Sequence, residues 1–214
     1  MTARQTIPRI TTLLGQLKPT FSVVDVRQID GAFLTAENIE GLIWDVDGTL
    51  MTYHAKRIAD PLEPHVEGLL GNSGLRHAVL SNCDELRFEE LKQIFPNLPL
   101  IRGYKGPAGT TFRTAHGTTD SHTRSEIDKL LKSGYRQIRK PSGKLIGHAV
   151  EVLGLPGSRC VMIGDQYLTD VASANVGGIR SIKVETYGRK TFPRAIRFSQ
   201  RLERLIFRLV NPRY

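Results

Sequence analysis

Several short apolar runs in this chain break off at residues that carry oxygen, and that pattern limits the fold more than any other feature. Gly41-Leu42-Ile43-Trp44 stops at Asp45-Val46-Asp47-Gly48-Thr49, His77-Ala78-Val79-Leu80 at Ser81-Asn82, and Cys160-Val161-Met162-Ile163 at Gly164-Asp165, with Asp170 close behind. Runs of about four apolar residues bounded by turn formers read as fully buried strands. Leu98 to Ile101 and Ser181 to Val184 add two more. Between them lie helical patterns at 60–70, at 84–95 (Leu86, Phe88, Leu91, Ile94 and Phe95 near a 3.6 period) and at 142–153, after Pro141. Strand and helix in alternation predict an α/β fold, a mostly parallel sheet covered on both faces. In such sheets the carboxyl ends of the strands line the ligand crevice. Oxygen-bearing tips far apart in sequence are therefore expected to meet.

Those tips suit the hydrolysis of a phosphate ester. A carboxylate that attacks phosphorus divides one hard step into two. The two anions repel, and a divalent cation between them removes that barrier. Hard oxygen ligands suit Mg²⁺. Asp45, at a strand tip, fits the nucleophile and a metal ligand. Asp47, two residues on, fits the acid and base, and its backbone carbonyl offers a further metal ligand. Asp165 completes the metal site, and Asp170 orients it from behind. Thr49 is expected to fix Asp47. Ser81, Asn82 and Lys140 are the candidates to hold phosphoryl oxygens. Taken alone, Asp45 and Asp47 would also fit a turn, Ser81-Asn82 a helix cap, and Lys144 is a rival to Lys140 one helical turn later.

In this order and spacing, Asp45-Val46-Asp47-Gly48-Thr49-Leu50, Val79-Leu80-Ser81-Asn82, Lys140-Pro141 and Gly164-Asp165-Gln166-Tyr167-Leu168-Thr169-Asp170 resemble the four motifs of the haloacid dehalogenase (HAD) superfamily. The resemblance implies a Rossmann-like three-layer sandwich with a small cap or none, Mg²⁺ as cofactor and an aspartyl-phosphate intermediate on Asp45. Carboxylates at both 45 and 47 resemble the superfamily's phosphatases rather than its dehalogenases. Leu17-Lys18-Pro19, Val23 to Ile29 and Glu40 to Ile43 are similar to the phosphatidylglycerophosphate phosphatase family, as are Gly164-Asp165-Gln166 and Thr169-Asp170-Val171. This narrower resemblance covers most of 17–50 and 75–185. It implies hydrolysis of phosphatidylglycerophosphate to phosphatidylglycerol. Members of that family usually carry Asn where Gly48 stands, and pass almost directly from the third strand to the Lys-Pro pair. Here residues 104–139 intervene, rich in Thr, Gly and His and without periodicity. They are expected to be a long loop or small lid with a short helix at 125–132, inside a single domain spanning 1–214.

Charge is concentrated at the end of the chain. The formal net charge is +9, and residues 180–214 hold ten of the 30 Lys and Arg beside two acids, Glu185 and Glu203. Such a local excess points to an acidic partner surface. Pro193 is placed to begin a helix to about 210. On it Ala195, Phe198, Leu202, Leu205, Ile206 and Leu209 gather on one side, and Arg194, Arg197, Arg201, Arg204 and Arg208 on an adjoining stripe. Two readings are open: an apolar side packed on the core with a solvated basic edge, or a helix lying on an anionic membrane. A nucleic-acid partner is not expected, since no module for it is present, and no obligate protein partner is inferred. The alternatives to a phospholipid headgroup are a soluble phosphomonoester, a nucleic-acid 3′-phosphate end, or a binding protein that uses only the basic tail.

No apolar run approaches the roughly 20 residues of a membrane span. Cys83 and Cys160 read as buried thiols of a reducing compartment. The expected location is cytoplasmic and peripheral to the membrane. The acid-free residues 1–24 leave organelle targeting open. The six histidines show no shared ligand spacing and are read as non-catalytic, with His116 and His122 the two that could reach substrate.

Overall fold

The computed structural model describes residues 15–210. Residues 1–14, which carry Arg4, Arg9 and most of the acid-free segment, lie outside them. The elements in chain order are β1 (Phe21–Ser22), α1 (Gly31–Ala36), β2 (Gly41–Trp44), α2 (Glu63–Leu70), β3 (Arg76–Val79), α3 (Glu85–Ile94), β4 (Leu100–Gly106), β5 (Gly109–His116), β6 (Thr119–Asp120), α4 (Arg124–Lys132), β7 (Arg136–Ile138), α5 (Gly143–Leu153), β8 (Cys160–Gly164), α6 (Ala172–Val176), β9 (Arg180–Lys183) and α7 (Arg194–Val210).

The strands form one sheet in the order β1-β9-β8-β2-β3-β4-β5-β6, with β7 also on β4. Pairing is parallel from β1 through to β4 and antiparallel beyond it. Because successive strand residues face opposite sides, β2 sends Leu42 and Trp44 into one core and Ile43 into the other. β8 does the same with Val161 and Ile163 against Cys160 and Met162. A sheet covered on both faces has no polar alternation, hence the continuous apolar runs. β2 is central, flanked by β8 and β3, so Asp45 leaves the sheet between Ser81 and Asp165.

Residues 104–139 are not an aperiodic loop. β4 and β5 form a seven-pair antiparallel hairpin that closes at Gly106 and Gly109, and β6 and β7 extend it. The Thr-rich stretch is a β-branched strand. Its period of two is hidden because the inward residue is an arginine. Arg113 is buried, bonded to Glu85, Glu89 and Asp120 and lying over the Phe88 ring, beside an equally buried Arg102 on Glu85. The expected helix in this segment is present as α4, opened by a reciprocal Thr123–Glu126 cap.

The α3 helix is also oriented differently from its apolar count. Leu86 is exposed, and Arg87, Phe88 and Leu91 form its buried side. On α7, Gln200, Glu203 and Phe207 face the core, and Phe207 packs with Leu17, Ala172 and Tyr167. Phe198 (68% exposed), Leu202 (47%), Leu205 (54%) and Leu209 (72%) face outward. Of the apolar stripe expected to pack on the core or a membrane, Ile206 packs against the Leu17–Ala172–Phe207 cluster and these four residues are free of the core. Polar Gln200 and Glu203 dock instead because the strand-end loops offer them partners.

Candidate active site

Asp45 follows β2 directly, and its backbone N–H continues the ladder to Ile163. Lys140 Nζ lies 2.6 Å from Asp45 Oδ1 and 2.6 Å from Asp170 Oδ1, with both ends of each pair buried. The rivalry between lysines is thereby resolved, since Lys144 reaches out to Thr110 on the hairpin. Asn82 accepts from the Lys140 N–H at 2.8 Å and donates to the Lys140 carbonyl at 3.0 Å. Both ends of its carboxamide are engaged, so Asn82 enters the site as the holder of Lys140. Asp170 accepts from the Gln166 N–H with its other oxygen. It reaches this place beneath β8 because residue 164 is glycine, where a Cβ would sit 2.3 Å from Asp170 Cγ.

Asp45, Asp165 and Asp170 bring carboxylate oxygens within 4.8 Å of one another. Burial pushes the Asp45 carboxyl from its ordinary 3.8 up to about 7, with Lys140 opposing and Asp170 adding to the rise. Burial, then Asp45 and Asp170, raise Asp165 as well. Asp165 Oδ1 is buried without a hydrogen-bond partner. Among the described residues, only Lys140 lies within ion-pair distance of these three carboxylates, with the buried Lys183 acting on Asp165 from farther off, so negative charge is left uncompensated, and oxygen donors of this kind fit a hard divalent cation such as Mg²⁺. Asp45, Asp165 and Asp170 are the carboxylates placed to hold it.

Asp47 turns away from this cluster. Its Oδ1 accepts from Arg87 Nη2 at 2.9 Å and from the His54 N–H at 3.0 Å, while Oδ2 has no partner among the described residues. Thr49, expected to fix Asp47, instead points at Asp45 Oδ2 at 3.4 Å. Gly48 has φ +94°, and a Cβ there would lie 2.9 Å from Asp165 Oδ2 and 3.0 Å from Phe192. A side chain at this position would thus crowd Asp165 and Phe192.

Asp45, Asp47, Ser81, Asn82 and Lys140 line one cavity of about 270 Å³, together with Arg139, Tyr53, His54, Phe192 and Ile196. Sequence reasoning missed Arg87, Phe192, Ile196 and Gln200, whose Nε2 donates to Asp165 Oδ2 at 3.3 Å. Arg87 had a readable signal, a charged residue on the apolar side of a helix. The other three had none, since they come from a segment 150 residues after Asp45. His116 bonds to Asn97 and His122 to Ser121 at the hairpin, and neither lines this cavity. His77 accepts from Trp44 Nε1 and is pushed down to about 4 by burial, a structural role.

A HAD-hydrolase-like family model matches residues 137–198, which include Lys140, Asp165 and Asp170. The chain is 27% identical over 188 residues to phosphatidylglycerophosphate phosphatase 1, chloroplastic, of Chlamydomonas reinhardtii. It is also 27% identical over 188 residues to the chloroplastic/mitochondrial phosphatidylglycerophosphate phosphatase 1 of Arabidopsis thaliana. These alignments cover 86% of this chain, and 59% and 45% of the two relatives. The chain is thus similar to HAD-type phosphatases, those named phosphatidylglycerophosphate phosphatase among them, and spans about half the length of the two plant and algal relatives. The probable phosphatase YqeG of Bacillus subtilis (strain 168) is 26% identical over 166 residues, 78% of this chain and 76% of its own length. No described helix is long and apolar enough to cross a membrane.

Proposed function

We propose that this domain removes the terminal phosphate of a phospholipid headgroup, phosphatidylglycerophosphate, at the surface of an anionic membrane. The observation that carries the chemistry is the buried Asp45–Lys140–Asp170 chain beside Asp165, open to a cavity at the strand ends. Asp45 attacks phosphorus in line with the ester oxygen. Asp47, through the free Oδ2, gives a proton to the leaving glycerol oxygen, and the P–O bond breaks as the Asp45 acyl phosphate forms. Asp47 then takes a proton from water, whose oxygen adds to phosphorus and releases Asp45 and inorganic phosphate. The Ser81 hydroxyl and the Lys140 ammonium hold the transferring oxygens. A bound Mg²⁺ would screen the repulsion between Asp45 and the phosphate and keep Asp45 and Asp165 ionised.

The lipid reading is supported by the names of the two 27% relatives and by α7. That helix walls the cavity with Ile196, turns Phe198, Leu202, Leu205 and Leu209 outward, and carries Arg194, Arg197, Arg201, Arg204 and Arg208 beside them. A helix lying at an interface has this build, apolar side in the acyl boundary and arginines at the headgroups. Phosphate release with Mg²⁺ tests the reading, with phosphatidylglycerophosphate in anionic vesicles set against sugar phosphates, nucleotides and 3′-phosphorylated DNA. Preference for the lipid supports it. Preference for a soluble ester keeps the Asp45 chemistry and rejects the lipid.

A further inference from the structure

The C-terminal region holds a second uncompensated charge, of opposite sign to the carboxylates. Gly188, at φ 59°, starts a tight turn that places Arg189 just ahead of α7. Arg189 Nη2 is buried and has no hydrogen-bond partner. Burial and then Arg204, Arg201 and Arg197 depress its affinity for the proton, so three further guanidinium groups act on it. Among the described residues no carboxylate lies within ion-pair distance of Arg189, Arg197, Arg201 or Arg204. A buried guanidinium N–H left unpaired among like charges is costly, and a bound anion removes both the missing bond and the repulsion.

The chemistry of that anion follows from its neighbours. A guanidinium fork matches two phosphate oxygens. At about 100° per residue, the α7 arginines occupy the flank between the docked side, Gln200, Glu203 and Phe207, and the open apolar stripe. A phosphate at Arg189 would thus sit at headgroup level when that stripe enters the acyl boundary. The adjacent cavity, about 400 Å³, is also lined by Lys183, Arg204 and Arg208. The carboxylates on it are Asp165, Glu185 and Glu203, the last accepting from the Leu168 N–H and pushed up to about 7 by burial. Arg189 does not line the cavity around Asp45.

We infer that Arg189, with Arg197, Arg201 and Arg204, forms a binding site for the phosphodiester of an anionic phospholipid, separate from the phosphomonoester site at Asp45. This inference rests on the membrane reading of α7. The test is sedimentation of the full chain with phosphatidylcholine vesicles, with and without phosphatidylglycerol. Arg189→Gln is expected to weaken binding to anionic vesicles about ten-fold. Arg57→Gln, which removes one exposed charge elsewhere, should change it less than about two-fold. Arg189→Lys, which keeps the charge but not the fork, should fall between them, and it reads the site if the Gln variant does not fold. An Arg189→Gln loss no larger than that of Arg57→Gln overturns the site. Leu205→Glu keeps the two ideas apart: if it abolishes binding while Arg189→Gln does not weaken it, the site falls and the membrane reading stands. Unchanged binding of Leu205→Glu removes the membrane reading and the lipid source with it. Inorganic phosphate at matched ionic strength supplies the last arm. Displacement of the wild type to the Arg189→Gln level assigns the site to free phosphate and overturns the lipid, while no displacement supports it.

Discussion

Two charge clusters, one under the hairpin and one at the strand ends, behave in opposite ways. Under the hairpin, Glu85, Glu89 and Asp120 meet Arg102, Arg113 and Lys92, so that each carboxylate has a cation. The arginine and lysine partners hold the Asp120 carboxyl down at about 2, against its desolvation. At the strand ends three carboxylates share one lysine, and Asp45 rises to about 7. Burial is common to both, and the balance of partners differs. A cluster that closes its own account is a structural joint. One that leaves charge uncompensated is built for something that arrives, a cation and a phosphate here.

The sharpest way to break this contrast is to remove one charged group from each side. Asp45→Asn should abolish phosphate release, at least about 10³-fold in kcat, while the melting temperature holds or rises, because a buried repulsion is gone. Retained turnover would end the nucleophile assignment. Arg113→Ala should do the reverse, lowering stability by about 2–3 kcal/mol, because it removes a buried side chain and leaves Glu85 only Arg102, and Glu89 and Asp120 only Lys92. Denaturant unfolding measures that loss, and activity per folded molecule should persist. Mg²⁺ sharpens the comparison further. At about 100 times its dissociation constant it should stabilise the wild type by about 2.7 kcal/mol. Asp165→Asn should lose this response and Arg113→Lys should keep it, as read by thermal unfolding.

The smallest effect expected is the pH dependence, which has opposite signs at the two clusters. The folded-state pKa of Asp45 is raised, so without metal its contribution is complete below 3.8 and is lost as pH rises to about 7. The folded-state pKa of Asp120 is depressed, so its contribution is present above 3.8 and lost as pH falls toward about 2. Metal-free protein should therefore lose stability between pH 4 and 7, and Asp45→Asn should flatten that slope. An unchanged slope in the variant would place its origin elsewhere.

Much of the site was legible because it is written at strand ends. Asp45, Ser81 and Asp165 each follow a short apolar run, and the rule that parallel strands gather their carboxyl ends needs no coordinates. Position on the chain left Lys140 and Lys144 as rivals, and only the contacts separate them, Lys140 meeting Asp45 and Asp170 while Lys144 meets Thr110. Partner choice was not legible. Nothing local states that Thr49 turns to Asp45, that Asn82 holds the Lys140 backbone, or that Asp47 is met by Arg87 from α3. The hairpin was unreadable for a related reason. Its buried residues include Arg102 and Arg113, and a hydrophobicity pattern treats inward arginines as surface.

The sequence by itself determined the layered α/β fold, the order of the four motifs and the basic amphipathic nature of α7, since each rests on periodicity or on short-range spacing. Only the tertiary structure decided which face of α7 is docked. Gln200 and Glu203 are polar, yet they are buried because Asp165 and the Leu168 N–H offer them hydrogen bonds. Phe198, Leu202, Leu205 and Leu209 are apolar, yet exposed because the docked side is taken by Gln200, Glu203 and Phe207. Helical periodicity shows that a helix has two sides, but which side turns inward depends on what the rest of the chain presents to it.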